Sequence, residues 1–455
     1  MPASSTYRQW LARALAHALL ADALLPGGCL RDALLARAAS TLGKRPAWLA
    51  GLVDALLPFD PLREDVQALG RRIAVLPAFD PAFDAEHPPR IRHLILRPAT
   101  MLRRPLGLHE LELPALATHA DLASWLGLDS EQLAWLAAPA RAWRPPGAGG
   151  RAAATHYRCL LMPKRSGGLR LIEAPMATLK AVQRHLLDGL LDHVPAHEAA
   201  MGYVSGRSVI DHAAAHAGRA VVLRFDLRDF FNSIPASRVH ALWHTLGYPD
   251  GAARTLTALT TARTPVALRE RLQDDGGLDV LGAKRLASAH LPQGAPTSPA
   301  LANLCCFRLD LRLNGLAKRF DASYTRYADD LVISGPAACA KRRRELQAWV
   351  EAIVRDEGFA LQPRKTLTMP AHQRQQVAGI VVNAHPNLDR ASFDRLKARL
   401  HRCTRDGPSP ADDPQQLRGQ LAWVTQLNPA RGAKLQKLFE GIRWLNVAPS
   451  STPVR

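Results

Sequence analysis

A chain of 455 residues, 47% hydrophobic and 22% charged, can hold two or three packed units, which excludes a disordered polymer. Its 59 basic against 40 acidic residues leave +19, mostly as arginine, which forks onto phosphates and stacks on bases. A nucleic-acid partner is the first reading of that charge, and an arginine-rich composition inherited from a GC-rich genome is the plain alternative.

The N-terminal stretch Leu11 to Leu25 is interrupted by Arg13, His17 and Asp22. It is too short and polar to span a bilayer and lacks a signal-peptide core, so a cytoplasmic protein with no membrane partner is expected. Residues 1–140 are Ala/Leu-rich with helical periodicity, cut by Pro26-Gly27-Gly28, Pro58, Pro77 and Pro88-Pro89 into short helices. Within them, 121–133 reads as two helices joined at Gly127, with Asp129 or Ser130 as the second cap. Either an accessory pair packed on the following unit or a helix-turn-helix fits that pattern. Arg144 to Gly150 is a Pro/Gly linker, placed within 141–154.

Beyond it, Tyr157 to Ile172 is two apolar runs around a basic Gly-Gly turn, a β-hairpin with cations near its tip. Val221 to Phe225 is a β-type run that places Asp226 at a strand end. Leu291-Pro292-Gln293-Gly294-Ala295-Pro296-Thr297 is a turn-rich loop, after which Ser298-Pro299 reads as the cap and first residue of a long helix. In Tyr327-Ala328-Asp329-Asp330, two adjacent carboxylates lie between Tyr324-Thr325-Arg326 and Leu331-Val332-Ile333, the pattern of a hairpin turn. Alone, such a pair is an ordinary solvated turn. From Ser392 onward Phe393, Leu396, Leu400 and Cys403 form an apolar helical stripe, and Arg395, Arg399 and Arg402 form a cationic one. The six cysteines show no C-x-x-C pair and read as buried thiols of a reducing compartment.

The strand-end Asp226, the Pro292-Gln293-Gly294 loop and the Tyr327-Ala328-Asp329-Asp330 hairpin stand in the order found in reverse transcriptases. Over roughly residues 155–445 the chain resembles their bacterial retron and group II intron branch. The resemblance implies an α+β right-hand polymerase with an antiparallel palm sheet, preceded by the helical region. Fingers and palm would occupy 155–385 and a helical thumb 386–455, with Val377 to Asn383 as a further palm strand and turn.

It also implies roles. Asp226, Asp329 and Asp330 would serve two Mg²⁺ ions, for which Mn²⁺ is a substitute, because phosphoryl transfer is mostly positioning and charge neutralisation by hard-oxygen-bound metals. Lys365 would protonate the leaving pyrophosphate. Lys164 and Arg170 would contact the triphosphate, with Asp229 a cap or salt-bridge residue beside it. Gln293 and Gly294 would flank the nucleotide, glycine letting the backbone approach. Phe231, five residues after Asp226, would lie under the sugar and exclude a 2′-hydroxyl, selecting dNTPs. Arg395, Arg399 and Arg402 would track nucleic-acid backbone.

Within the branch, the short C-terminal region resembles retron enzymes, which copy part of a structured non-coding RNA, their template and primer, into single-stranded msDNA and act with an effector protein in antiphage defence. Two departures stand out. Val377-Ala378-Gly379 replaces Val-Thr-Gly, and Asn383-Ala384 is followed by Asn387 where a histidine is expected. Diversity-generating, intron-derived and abortive-infection reverse transcriptases, and a non-polymerising RNA-binding scaffold, are the rival readings.

Overall fold

The computed structural model describes residues 3–21, 30–61, 64–84, 89–95, 99–138, 156–163, 168–275 and 278–444. The chain forms two compact units, Met1–Thr100 and Met101–Arg455. The first contains helices α1 (Ala3–Leu20), α2 (Leu30–Leu42), α3 (Trp48–Leu56) and α4 (Val66–Val75). Their leucine stripes, with Leu11, Leu15, Leu34, Leu52 and Leu69, close around Phe79 as a separate core. Asp65 starts α4 by accepting from the Gln67 and Ala68 amides.

The second unit opens with α5 (His119–Trp125) and α6 (Ser130–Ala137), each begun by a capping box. Gly127 joins them at φ +66°, a left-handed turn open to glycine without cost. Strands β1 (Tyr157–Pro163) and β2 (Leu169–Pro175) pair antiparallel from Tyr157↔Pro175 to Pro163↔Leu169. Helices α7 (Ala177–Gly189) and α8 (Val209–Ala214) lead to β3 (Val221–Asp226). Four helices follow: α9 (Ala236–Thr245), α10 (Asp250–Thr260), α11 (Val266–Asp274) and α12 (Val280–Ala287). Then come α13 (Ser298–Cys305), α14 (Phe307–Arg319), β4 (Ser323–Tyr327) and β5 (Asp330–Gly335). Helices α15 (Ala337–Lys341) and α16 (Arg343–Asp356) precede β6 (Leu367–Pro370), β7 (Gln376–Val377) and β8 (Ile380–Val381). The C-terminal bundle is α17 (Arg390–Asp406), α18 (Pro414–Leu427) and α19 (Pro429–Glu440).

The central sheet has the order β4-β5-β3-β6, all neighbours antiparallel. Both β3 and β5 are buried on two faces, which is why they read as nearly unbroken apolar runs. Side chains alternate by two: Val221, Leu223 and Phe225 with Leu331 and Ile333 enter the large helical core, and Val222 and Val332 join Met369 and Leu427 on the other face. This is the α+β architecture expected of a polymerase palm.

Three expectations are revised and a fourth is not reached. Residues 101–137 belong with the second unit, since Leu122, Leu126, Leu133 and Leu136 enter its core and α5 and α6 pack on α10. Helix α13 begins at Ser298, after Thr297 in the N-cap position with no side-chain cap bond, and ends at Cys305, so the long helix expected there is two. Residues 376–381 form a separate two-stranded hairpin, and the palm's fourth strand is β6. The Pro/Gly linker at 141–154 lies outside the described residues.

Candidate active site

The site begins with the register of β3 and β5, which sets Asp226 directly opposite Asp330 at the open end of the pair. Ala328 and Asp329 alone connect β4 to β5, so Tyr327 pairs with Asp330. Ala328 takes φ +56°, a left-handed conformation that costs a residue with a Cβ about 1 kcal/mol. The turn is fixed to β3 as well: the Leu227 amide donates to the Asp329 carbonyl at 2.8 Å. Three aspartates expected to act together are thus gathered at one strand end.

Two of the carboxylates have a cation in contact. Lys365, on the turn Pro363–Lys365, donates from Nζ to Asp226 Oδ2 at 2.8 Å, and the Asp226 carbonyl accepts from the Gln362 amide at 2.8 Å. Arg224 Nε donates to Asp330 Oδ1 at 2.7 Å. Burial pushes the Asp330 carboxyl up to about 6, against the pull of Arg224. Burial and the Asp226 charge also raise Asp329, opposed by Lys365 and Arg170. Arg170, exposed on β2, therefore lies within electrostatic reach of the hairpin.

Among the described residues, no three His, Cys, Asp or Glu side chains form a ready-made metal cage. A divalent cation held here would therefore need further oxygens, such as those of substrate phosphates. Hard oxygens whose mutual repulsion raises a carboxyl pKa are the donor set a divalent cation would relieve.

The hairpin rests on a buried network absent from the sequence reading. Arg326 Nη2 donates to Asp310 Oδ2 at 2.6 Å with both side chains fully buried. Arg326 Nη1 also donates to the Ala328 carbonyl at 3.2 Å and to Asn303 Oδ1 at 3.0 Å. Asn303 in turn donates to the Gly202 carbonyl at 2.8 Å, and a Cβ on Gly202 would meet the Ala328 amide nitrogen at 3.0 Å. On the sheet's other side, Thr325 Oγ1 is shared between His212 Nδ1 at 2.6 Å and His216 Nε2 at 2.7 Å. Burial lowers those imidazoles to about 4 and about 3, so they serve as neutral hydrogen-bonding groups. Their spacing of four, from α8 into the turn that follows it, was the available signal. For Arg224 it was the two-residue alternation that puts it on the Asp226 face.

Other expected residues fall variously. Phe231 opens the short turn Phe231–Ser233, half-buried, its ring centroid 5.3 Å from buried Phe230. Asp229 has φ +49° and lies 3.5 Å from Arg228 Nε and 3.9 Å from Arg285 Nη1, a salt-bridge position. Gly294 has φ +132°, and a Cβ there would meet the Glu173 carbonyl at 3.1 Å. Its glycine allows a close approach to β2, with Glu173 N donating to Gln293 O at 2.8 Å. The Gln293 side chain is left half-exposed. Lys164 lies outside the described residues.

In α17, Arg399 Nε and Arg402 Nη2 both bind buried Asp412, at 2.6 and 2.7 Å, and Arg395 donates to Ser392 Oγ at 2.8 Å. Arg399 is thereby removed from the expected free cationic stripe, and Arg402 is divided between Asp412 and solvent. A groove of about 390 Å³ beside it is lined by Asp394, Lys397, Ala398, His401, Arg402 and Arg405.

The family model for reverse transcriptases (RNA-dependent DNA polymerases) matches residues 162–382, spanning β2 through β8. The Mx162 retron reverse transcriptase of Myxococcus xanthus is 36% identical over 346 residues, covering 72% of this chain and 68% of that protein. The chain belongs to the retron reverse transcriptases. The Mx65 retron enzyme of the same organism is 41% identical over 284 residues, 62% of this chain and 64% of its own length. The Ec86 retron enzyme of Escherichia coli is 30% identical over 234 residues, 51% and 65% respectively. The chain thus spans about two thirds of the length of these retron reverse transcriptases. Among the described residues no helix is long and apolar enough to cross a membrane.

Proposed function

We propose that the protein is an RNA-directed DNA polymerase of a retron, copying a structured non-coding RNA, also its primer, into msDNA from dNTPs. The observation that carries the reading is the convergence of Asp226, Asp329 and Asp330 at one strand end, flanked by Lys365 and Arg224. Asp226 and Asp329 would hold two Mg²⁺, with Mn²⁺ a substitute, and Asp330, tied to Arg224, would support the primer-end side. When bound, the ions supply charge neutralisation to the phosphoryl transfer.

The chain's own groups account for the rest. Lys365 stands at Asp226 with its ammonium half-exposed, where it can give a proton to the departing pyrophosphate oxygen. Phe231, presented by a turn anchored at Phe230, would lie against the sugar and leave no space for a 2′-hydroxyl. Arg170 would meet phosphate on the β2 side, and Gln293 would offer its amide to the sugar or a base edge. On α17, Lys397, His401 and Arg405 with Arg402 would take phosphates of the nucleic-acid backbone. A role in antiphage defence with an effector protein, in the cytoplasm, completes the proposal.

The test is sequencing of nucleic acid copurified with wild type and with Asp329→Ala/Asp330→Ala, expressed with native flanking DNA. A short DNA joined to one defined RNA, in wild type only, is expected. RNA alone in both samples would sink the polymerase reading, and heterogeneous cDNA would move the enzyme to another reverse-transcriptase branch.

A further inference from the structure

Three separate contacts tie α12 to elements around the strand end. Leu286 packs with Leu171 of β2, the residue after Arg170, and with Leu272. The helix also packs on the turn Phe231–Ser233. At its start Asp279 caps α12, accepting from the Gly282 amide at 2.9 Å, and its other oxygen lies 2.8 Å from Arg228 Nη2. Helix α12 therefore stands between the strand bearing Arg170 and the turn bearing Phe231.

This wall carries a cation whose pairing is incomplete. The Arg285 side chain is 14% exposed, and its nearest carboxylate oxygen in an ion pair, Asp229 Oδ2, is 3.9 Å from Nη1. That buried Nη1 has no hydrogen-bond partner among the described residues. Arg228 Nε is 3.5 Å from the same Asp229 oxygen. Both guanidinium groups reach Asp229 only at ion-pair distances too long for hydrogen bonds, Arg228 having Asp279 as well, and Asp229 is held there on a left-handed backbone. Burial, with the Arg228 charge adding to it, lowers the Arg285 pKa despite Asp229, as for a cation short of negative charge. A buried, unsatisfied guanidinium is costly unless an anion completes it.

We propose that Arg285 and Arg228 bind the polyphosphate of the incoming nucleotide, making α12 a third wall of the nucleotide site. The polyphosphate oxygens carry more charge than Asp229 and match the guanidinium fork, so they compete for both arginines. This rests on the polymerase reading.

The experiment is steady-state dNTP incorporation on an RNA template with a DNA primer, using wild type, Arg285→Gln, Arg285→Lys and Arg228→Gln, with thermal unfolding of each. Arg285→Gln is expected to raise the dNTP KM about tenfold, the loss of one charge-assisted phosphate contact, with kcat changed less than about threefold. Arg285→Lys should lie between. Inorganic tripolyphosphate should inhibit Arg285→Gln about tenfold less well than wild type. Should Arg285→Gln fail to fold, half-exposed Arg228 gives the same readouts. Unchanged KM and unchanged tripolyphosphate inhibition in folded variants would reduce both arginines to anchors of α12 and overturn the proposal alone. A wild type that incorporates no nucleotide would overturn the polymerase reading and this one with it.

Discussion

Asp330 and Phe231 show how single positions set chemistry here. Asp330 binds its proton more tightly folded than unfolded, so metal-free protein loses stability as pH rises from the ordinary carboxylate range through about 6. About two pKa units at one buried site correspond to on the order of 3 kcal/mol. Urea unfolding in chelator should therefore show wild type losing about 2 kcal/mol of this relative to Asp330→Asn between pH 4.5 and 7, with Mg²⁺ recovering part at pH 7. Parallel profiles would refute it. As the proposed sugar gate, Phe231 would act by shape alone. Replacing it with valine should lower discrimination against ribonucleotides by roughly tenfold to a hundredfold, the scale on which a packed group separates substrates. Competition between dNTP and rNTP in primer extension reads this directly, and unchanged selectivity would place the gate elsewhere.

The β4–β5 hairpin is the element on which the site depends, and its support was the least legible part. Asp226 at a strand end and Asp329-Asp330 at a turn could be read because alternation and turn chemistry are local. Arg326, Asp310 and Asn303 could not, because a buried ion pair joins residues on separate elements and each partner alone looks like a surface charge. Gly294 is legible only in part for a related reason: sequence signals that a backbone approaches, but not that β2 is one of the neighbours. The 376–383 run was apolar enough for a palm strand, yet Ala378 and Gly379, both at positive φ, fold it onto itself. Asp310→Ala would leave the Arg326 charge buried without its main partner and should cost about 3–5 kcal/mol. Chemical denaturation would show it, and a loss below about 1 kcal/mol would mean the pair is replaceable.

Across the whole molecule, the +19 charge becomes informative only once paired cations are subtracted. On α17, Arg399 is taken up by Asp412, whose carboxyl its hydroxyl and arginine partners hold well below the usual range. Lys397 and His401 remain around the open groove, whose other cation, Arg405, is paired with Asp406. Lys397→Ala should weaken RNA binding and reduce the slope of log affinity against log salt by about one, with little change in stability. Arg399→Ala should instead destabilise the C-terminal bundle. Filter binding across a salt series separates the two, and equal slopes for wild type and Lys397→Ala would remove the groove from the interface. The unit of residues 1–100 has a core of its own, which agrees with the family match beginning at residue 162.

The contact between Gly202 and the catalytic turn makes the two positions unequal under mutation. Ala328 already occupies a backbone conformation that glycine adopts freely, so a glycine there should survive selection for activity. Any side chain at position 202 must push the Ala328 backbone and the Tyr327 ring, 3.0 and 3.2 Å from where its Cβ would stand. In a randomised library screened for DNA synthesis, tolerance would concentrate on the hairpin's own small residue, and intolerance on a glycine 126 positions upstream.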